Sequence, residues 1–229
     1  MLFPHNGSRY GQVLALAPTG KAALNINGRT VDSGMHLFEL KSTSEMSEPL
    51  LRRLQDELGG VKLIIADEMS MAGLYKTGQM DMEMKYSAGK HGSPMGGVHF
   101  VFVTDFYQLP PVMDKLLYTR QTAGLNIMET NGRYLYQICS TFVELAELMG
   151  QVWVSASDQL FRRSLQRNRL GICTDEDTLL NKERTAVSLE GMQLPTEALF
   201  VAPTRDICQQ TNGIKLNNLI LSGSERACM

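Results

Sequence analysis

Residues 61–71 read VKLIIADEMSM. Val61 and Leu63–Ala66 form an aliphatic run that is too short for a helix and does not alternate with polar residues. Strands buried on both faces read this way, and they belong to parallel sheets flanked by helices. The run is followed at once by Asp67, Glu68 and Ser70. Three more runs share the design: QVLALA (12–17), VHFVFV (98–103) and ALFVA (198–202). Each leads into turn-forming polar residues, respectively PTGK, TDFYQLPPV and PTR. YQICSTFVEL (136–145) is a further candidate strand. In open α/β sheets, ligands bind outside the carboxyl ends of the strands. The chain is therefore expected to be α/β, with a crevice built from Thr19, Asp67, Glu68, Asp105 and Gln108.

Between the strands lie helical patterns. EPLLRRLQDEL (48–58) places Leu50, Leu51, Leu54 and Leu58 on one side, an amphipathic spacing. DQLFRRSLQRNRLG (158–171) sets Leu160, Phe161, Leu165 and Leu170 against arginines, with Asp158 as expected N-cap and Gly171 just past the end. TRDICQQTNGIKLNNLI (204–220) reads as a helix interrupted near Gly213. The Gly- and Ser-rich stretch YSAGKHGSPMGG (86–97) is expected to be an exposed loop. A lobe boundary is expected near 130–140, around ETNGRY.

Bulk properties narrow the function classes. The chain has 229 residues, 43% of them apolar, so a sizeable core is expected and disorder is not. A net charge of −2 argues against gripping nucleic acid by bulk charge, so any such contact is local. Cys139, Cys173, Cys208 and Cys228 lack metal-knuckle spacing and read as reduced thiols of an intracellular protein. His5, His36, His91 and His99 form no ligand pair. MLFPHNGSRYG is too polar for a signal peptide, and no run approaches the roughly 18 apolar residues of a membrane span.

The stretch LALAPTGKAA (14–23) imitates a phosphate-binding loop but fails the G-x-x-x-x-G-K-[ST] pattern. Ala15 stands at the first glycine and Ala22 at the hydroxyl position. The acidic pair after VKLIIA suits a different task. Asp67 can hold Mg²⁺, which prefers oxygen ligands and keeps much of its water, and Glu68 can orient or deprotonate an attacking water. The bland alternative is that both cap the next helix. In TDFYQLPPV, Gln108 sits on a turn stiffened by Pro110-Pro111. Its amide can accept from water and donate to a phosphate oxygen. Phe106 and Tyr107 suit base stacking or an ordinary core.

APTGKAALNINGRTV, IIADEMSM, TDFYQLPPV and LAELMGQ, in this order, resemble the middle of a petite-integration-frequency-type DNA helicase, a superfamily-one family. The match covers roughly residues 10–220, and DEMS and DFYQLPPV are together specific. The resemblance implies 5′-to-3′ movement on single-stranded DNA driven by ATP hydrolysis with Mg²⁺. It implies two RecA-like motor domains with ATP between them. Residues 1–138 would form most of the first and 139–229 the start of the second. APTGKAA resembles the family's motif Ia, so Thr19, Gly20 and Lys21 would contact DNA phosphates. Asp67 would be the metal acid, Glu68 the catalytic base, and Gln108 the link between γ-phosphate and DNA. Genome maintenance in nucleus or mitochondrion follows from the family alone. No obligate protein partner is implied.

The chain departs from that pattern. No phosphate loop precedes motif Ia, and the family's last motifs do not follow. Gly150 replaces an arginine that reaches the γ-phosphate, Thr104 replaces a glycine, and Asp32 replaces a common histidine. A central fragment or decayed copy without measurable ATPase of its own is therefore expected. The alternative function is a non-catalytic module that binds single-stranded DNA or a partner through motif Ia and the arginines of 158–170. It predicts salt-sensitive DNA binding without turnover.

Overall fold

The computed structural model describes residues 12–37, 47–146, 155–182 and 204–221. The chain divides into two compact units, Met1–Val152 and Trp153–Met229.

In the first unit β1 (Val13–Ala17) leads through α1 (Gly20–Asn25) to a two-residue strand, β2 (Arg29–Thr30). A single helical turn, α2 (Val31–Gly34), and the amphipathic α3 (Glu48–Leu58) precede β3 (Leu63–Ala66). Then come α4 (Leu74–Ala88), β4 (His99–Phe102) and α5 (Ile127–Gln137). All strand pairs are parallel and the order is β2-β1-β3-β4. The expected parallel α/β sheet is present, and three of its strands are the predicted apolar runs. ALFVA lies outside the described residues.

Register decides which side chains meet. Leu14, Ile64 and Phe100 align across the sheet, as do Leu16, Ala66 and Phe102. These residues share one apolar core with Leu54 and Leu58 of α3, Leu74, Met80 and Met84 of α4, and Leu135 of α5. The opposite face carries Val13, Ala15, Leu63, Ile65, His99 and Val101, partly or largely exposed. Burial on both faces was the expectation. The strands are fully buried on the face that α3, α4 and α5 cover, and the described residues cover the other face only in part.

α4 and α5 cross with backbones in contact. A Cβ on Gly78 would lie 1.9 Å from the Met128 carbonyl oxygen, and one on Gly132 would lie 1.9 Å from that of Leu74. Glycine is needed at both positions for space, since neither has a positive φ. This corrects two expectations. ETNGRY is not a boundary but the middle of α5, whose start is fixed by a capping box between Asn126 and Glu129. The candidate strand at 136–145 does not form. α5 runs into it through Gln137, and Phe142, Val143 and Leu145 beyond are exposed without a strand partner.

The stretch 86–97 is also less open than expected. Tyr86–Ala88 end α4, Gly89 caps it in the left-handed conformation, and Met95 and Gly96 are buried. The cause is Asp81, a buried carboxylate that accepts from the Met95 N–H at 2.7 Å and from Lys85 Nζ at 2.5 Å.

The second unit contains α6 (Ala156–Arg169), α7 (Asp175–Lys182) and α8 (Arg205–Leu221). α6 is capped by Ser155 rather than by Asp158, which is its third helical residue and closes the capping box. Gly171 follows with φ 72°, as its place past the helix end requires. α8 is continuous through Gly213, where a Cβ would meet open space. A single glycine weakens a helix by about 1 kcal/mol without stopping it.

Candidate functional site

The carboxyl rim of the sheet collects the predicted residues. β1 ends at Ala17, and Thr19 caps α1 by accepting from the Ala22 N–H at 3.3 Å. Gly20 and Lys21 are exposed, and no hydrogen bond or ion pair involves Lys21 among the described residues. The alanines that ruled out a phosphate loop sit as expected: Ala15 is in mid-strand and Ala22 in the first turn of α1.

The rim segments interlock by backbone bonds. Asp67 N–H donates to the Leu16 carbonyl at 2.8 Å, so the acidic loop is pinned to β1. Met69 N–H donates to the Val103 carbonyl at 3.0 Å, and Val103 N–H to that of Ala66 at 2.8 Å, so the same loop is pinned to the end of β4. Between these pins Glu68 is forced into the left-handed region, φ 55° and ψ 34°. Such backbone is uncommon outside glycine and is held only where surroundings over-determine it.

Electrostatics follow from this convergence. Partial burial first, and then the charges of Asp67 and Asp105, push the Glu68 carboxyl above the usual carboxylate range. That ordering places all three acids in one field. Asp67 Oδ1 accepts the Glu68 N–H at 2.9 Å, and Oδ2 accepts no hydrogen bond among the described residues. Asp105 forms an Asx turn, with Oδ1 accepting from Tyr107 N–H at 3.1 Å. Its Oδ2 accepts from Gln108 Nε2 at 3.2 Å, and its carbonyl from Gln108 N–H at 2.9 Å. Gln108 is thus fixed to Asp105, and Asp105 acts on Glu68. The bland reading of the acids as helix caps fails. The acid pair is followed by a one-turn 3-10 segment, Met69–Met71, without a side-chain cap bond, and α4 takes its cap elsewhere.

The aromatics separate. Phe106 packs edge-on against Tyr118 at 4.8 Å and Tyr136 at 6.1 Å. Tyr107 is 63% exposed. Of the two, Tyr107 is the one exposed to solvent.

Two groups at the rim escaped sequence reasoning. Ser70 Oγ and Thr104 Oγ1 are buried and have no hydrogen-bond partner among the described residues. Ser70 was legible as part of DEMS, but its burial was not. Thr104 stands where a glycine was expected and does not adopt a positive φ, so the side chain fits the backbone and leaves its hydroxyl unsatisfied. Asp32 has become half of an ion pair with Lys76 Nζ at 2.5 Å. The arginine-rich α6 is partly committed to structure. Arg167 makes a two-pronged pair with the buried Asp177 at 2.6 and 2.7 Å, holding the Asp177 carboxyl far below its usual range. The part of LAELMGQ from residue 147 onward, with Gly150, lies outside the described residues. Among those described, no three acidic, histidine or cysteine side chains are arranged to cage a metal, and no helix is long and apolar enough to cross a membrane.

Comparisons with known proteins identify the family. The family described as PIF1-like helicase matches residues 6–178. The chain is 29% identical to the ATP-dependent DNA helicase PIF1 of Xenopus laevis over 71% of its own length and 24% of that protein's. It is 26% identical to the Saccharomyces cerevisiae helicase of the same name over 92% of its length and 23% of that protein's. It therefore spans about a quarter of these relatives. In fold it is similar to the Candida albicans Pif1 helicase, with a TM-score of 0.64 at 24% identity over 90% of this chain and 44% of that one. It is also similar to a Bacteroides Pif1 helicase in complex with ADP-AlF3 and single-stranded DNA, with a TM-score of 0.61 at 21% identity over 95% and 48%. The likeness spans the strands, the acidic loop and the glutamine turn together, and the chain belongs to the PIF1-like helicase family.

Proposed function

We propose that this chain is the central part of an ATP-dependent, 5′-to-3′ DNA helicase motor, and that its rim is the nucleotide-facing edge of a RecA-like domain. The observation that carries the reading is Glu68. A carboxylate held in left-handed backbone, with its proton affinity raised by burial and by two neighbouring acids, is suited to take a proton from water. Asp67 would hold Mg²⁺ through its unbonded oxygen. One protein carboxylate suits an ion that otherwise keeps water and phosphate oxygens, and two unsatisfied hydroxyls nearby fit a polar occupant. Mg²⁺ with ATP supplies charge neutralisation at the phosphates. Glu68 moves the proton, and Gln108, fixed by Asp105, orients water against phosphate.

Thr19, Gly20 and Lys21 would contact the phosphates of single-stranded DNA, and Tyr107 would offer a stacking face. Residues 139–229 would begin the second RecA-like domain. Repair, recombination or telomere maintenance in nucleus or mitochondrion would be its setting.

The test is turnover with Mg²⁺, ATP and single-stranded DNA. In a polypeptide of family length that contains this segment, Glu68→Gln should cut DNA-stimulated hydrolysis by roughly 10²–10⁴ while leaving nucleotide binding in place. Unchanged hydrolysis in that variant removes the reading. The 229-residue chain alone should bind DNA weakly and turn over no ATP. The competing reading, a binding module without catalysis, is favoured if Lys21→Ala weakens DNA binding while no form of the protein hydrolyses ATP.

A further inference from the structure

We infer that Asp114 is a positioning residue: its carboxylate ties the loop carrying Gln108 to the first turn of α4, the helix that follows Glu68. Its geometry stands by itself, and its consequence for turnover rests on the ATP-site reading above.

The first N–H groups of a helix need acceptors from outside it. The N-cap of α4 is Gly73, which has no side chain to supply one. Asp114 supplies them from 38 and 39 residues away. Its Oδ1 accepts from Tyr75 N–H at 3.0 Å and its Oδ2 from Lys76 N–H at 3.1 Å. Oδ1 also accepts from Lys115 N–H at 2.7 Å, and the Lys115 carbonyl accepts from Leu74 N–H at 2.8 Å. The negative charge also suits the positive end of the helix.

Gly73 has φ −92°, which any residue adopts. It is required for space: a Cβ there would lie 2.2 Å from Asp114 Cγ. The site is therefore built to admit a cap from another segment. A serine or aspartate at 73 would cap α4 equally well, but it would not connect anything to it. The connection closes a ladder. The acidic loop is joined to the β4 loop at Met69–Val103, before the turn to α4, and again at Asp114, after it. Gln108 lies on the span between these rungs. Lys115 extends the anchor by donating from Nζ to Glu129 Oε2 at 2.8 Å and to the Gly124 carbonyl at 3.1 Å.

Amide hydrogen exchange on the full chain tests the tether. Asp114→Ala should raise exchange across residues 105–113 by roughly ten-fold through local opening, with β1 and β3 unchanged. Asp114→Asn keeps one acceptor oxygen and should fall between. The exchange variant Gly73→Asp with Asp114→Gly restores a cap within α4. It should recover the thermal midpoint lost in Asp114→Ala and leave 105–113 fast. Recovery of both would mean that Asp114 is a helix cap and nothing more, and would overturn the inference. So would unchanged exchange at 105–113 in Asp114→Ala. Adding Mg²⁺, ATP and single-stranded DNA to a family-length polypeptide reads the other reading separately. Loss of the tether there should lower kcat with KM held, whereas a protein without nucleotide-dependent protection at 67–68 refutes the ATP site and leaves the tether as measured.

Discussion

The two faces of the sheet differ although their sequences look alike. Leu14, Leu16, Ile64 and Ala66 lie on one face and are essentially inaccessible. Ala15, Ile65 and Val101 lie on the other, and Val101 is 47% exposed. Neighbouring residues in one aliphatic run thus differ in burial, and Ile64 and Ile65 are chemically identical. The difference teaches that an unbroken apolar strand records what both faces tolerate, not what covers them.

The largest test of this contrast is truncation on the covered face. Ile64→Ala should cost roughly 2–5 kcal/mol in urea unfolding, the range for deleting well-packed branched side chains. Next comes the helix pair that belongs to the same core. Gly132→Ala forces a methyl against the Leu74 carbonyl and should cost about 3 kcal/mol by overpacking. A mild effect there would mean that α4 and α5 can slide apart. On the less buried face, Ile65→Ala should cost only about 1 kcal/mol, since less area leaves water. Equal losses at 64 and 65 would break the comparison.

The smallest effect carries the opposite sign. The folded state raises the Glu68 carboxyl above its usual range, so the native protein holds that proton more tightly than the unfolded chain. Stability from this group is present at low pH and declines as pH rises through the ordinary and then the raised value. Glu68→Gln removes the charged form and should raise the melting temperature at neutral pH by roughly 1–2 °C. The variant proposed to lack turnover should thus be the more stable protein. A lower melting temperature would show that the strain and crowding at Glu68 are already relieved.

Much of this was legible beforehand, for physical reasons that vary by element. Aliphatic runs ending in PTGK, DEMS and TDFYQLPPV placed three strands and the acid and amide residues on one rim. β2 was not legible because Arg29 and Thr30 form no run of their own. α4 was hidden because Thr77, Asp81, Glu83 and Ser87 are buried among its methionines, which erases the polar stripe. In α5, Asn131-Gly132 reads as a turn, but Gly132 serves a close helix crossing instead. The Glu68 conformation and the Asp114 cap depend on partners far away in sequence, which no local pattern encodes.

β4 pairs with β3 along one side, and among the described residues nothing pairs with its other side. Its residues, HFVF, include no lysine, glutamate or proline to discourage a newcomer. An unpaired border of this composition is the kind that accepts strands from neighbouring molecules at high concentration. Light scattering that grows steeply with protein dose, and that a lysine at position 101 suppresses, is the behaviour to expect at the bench.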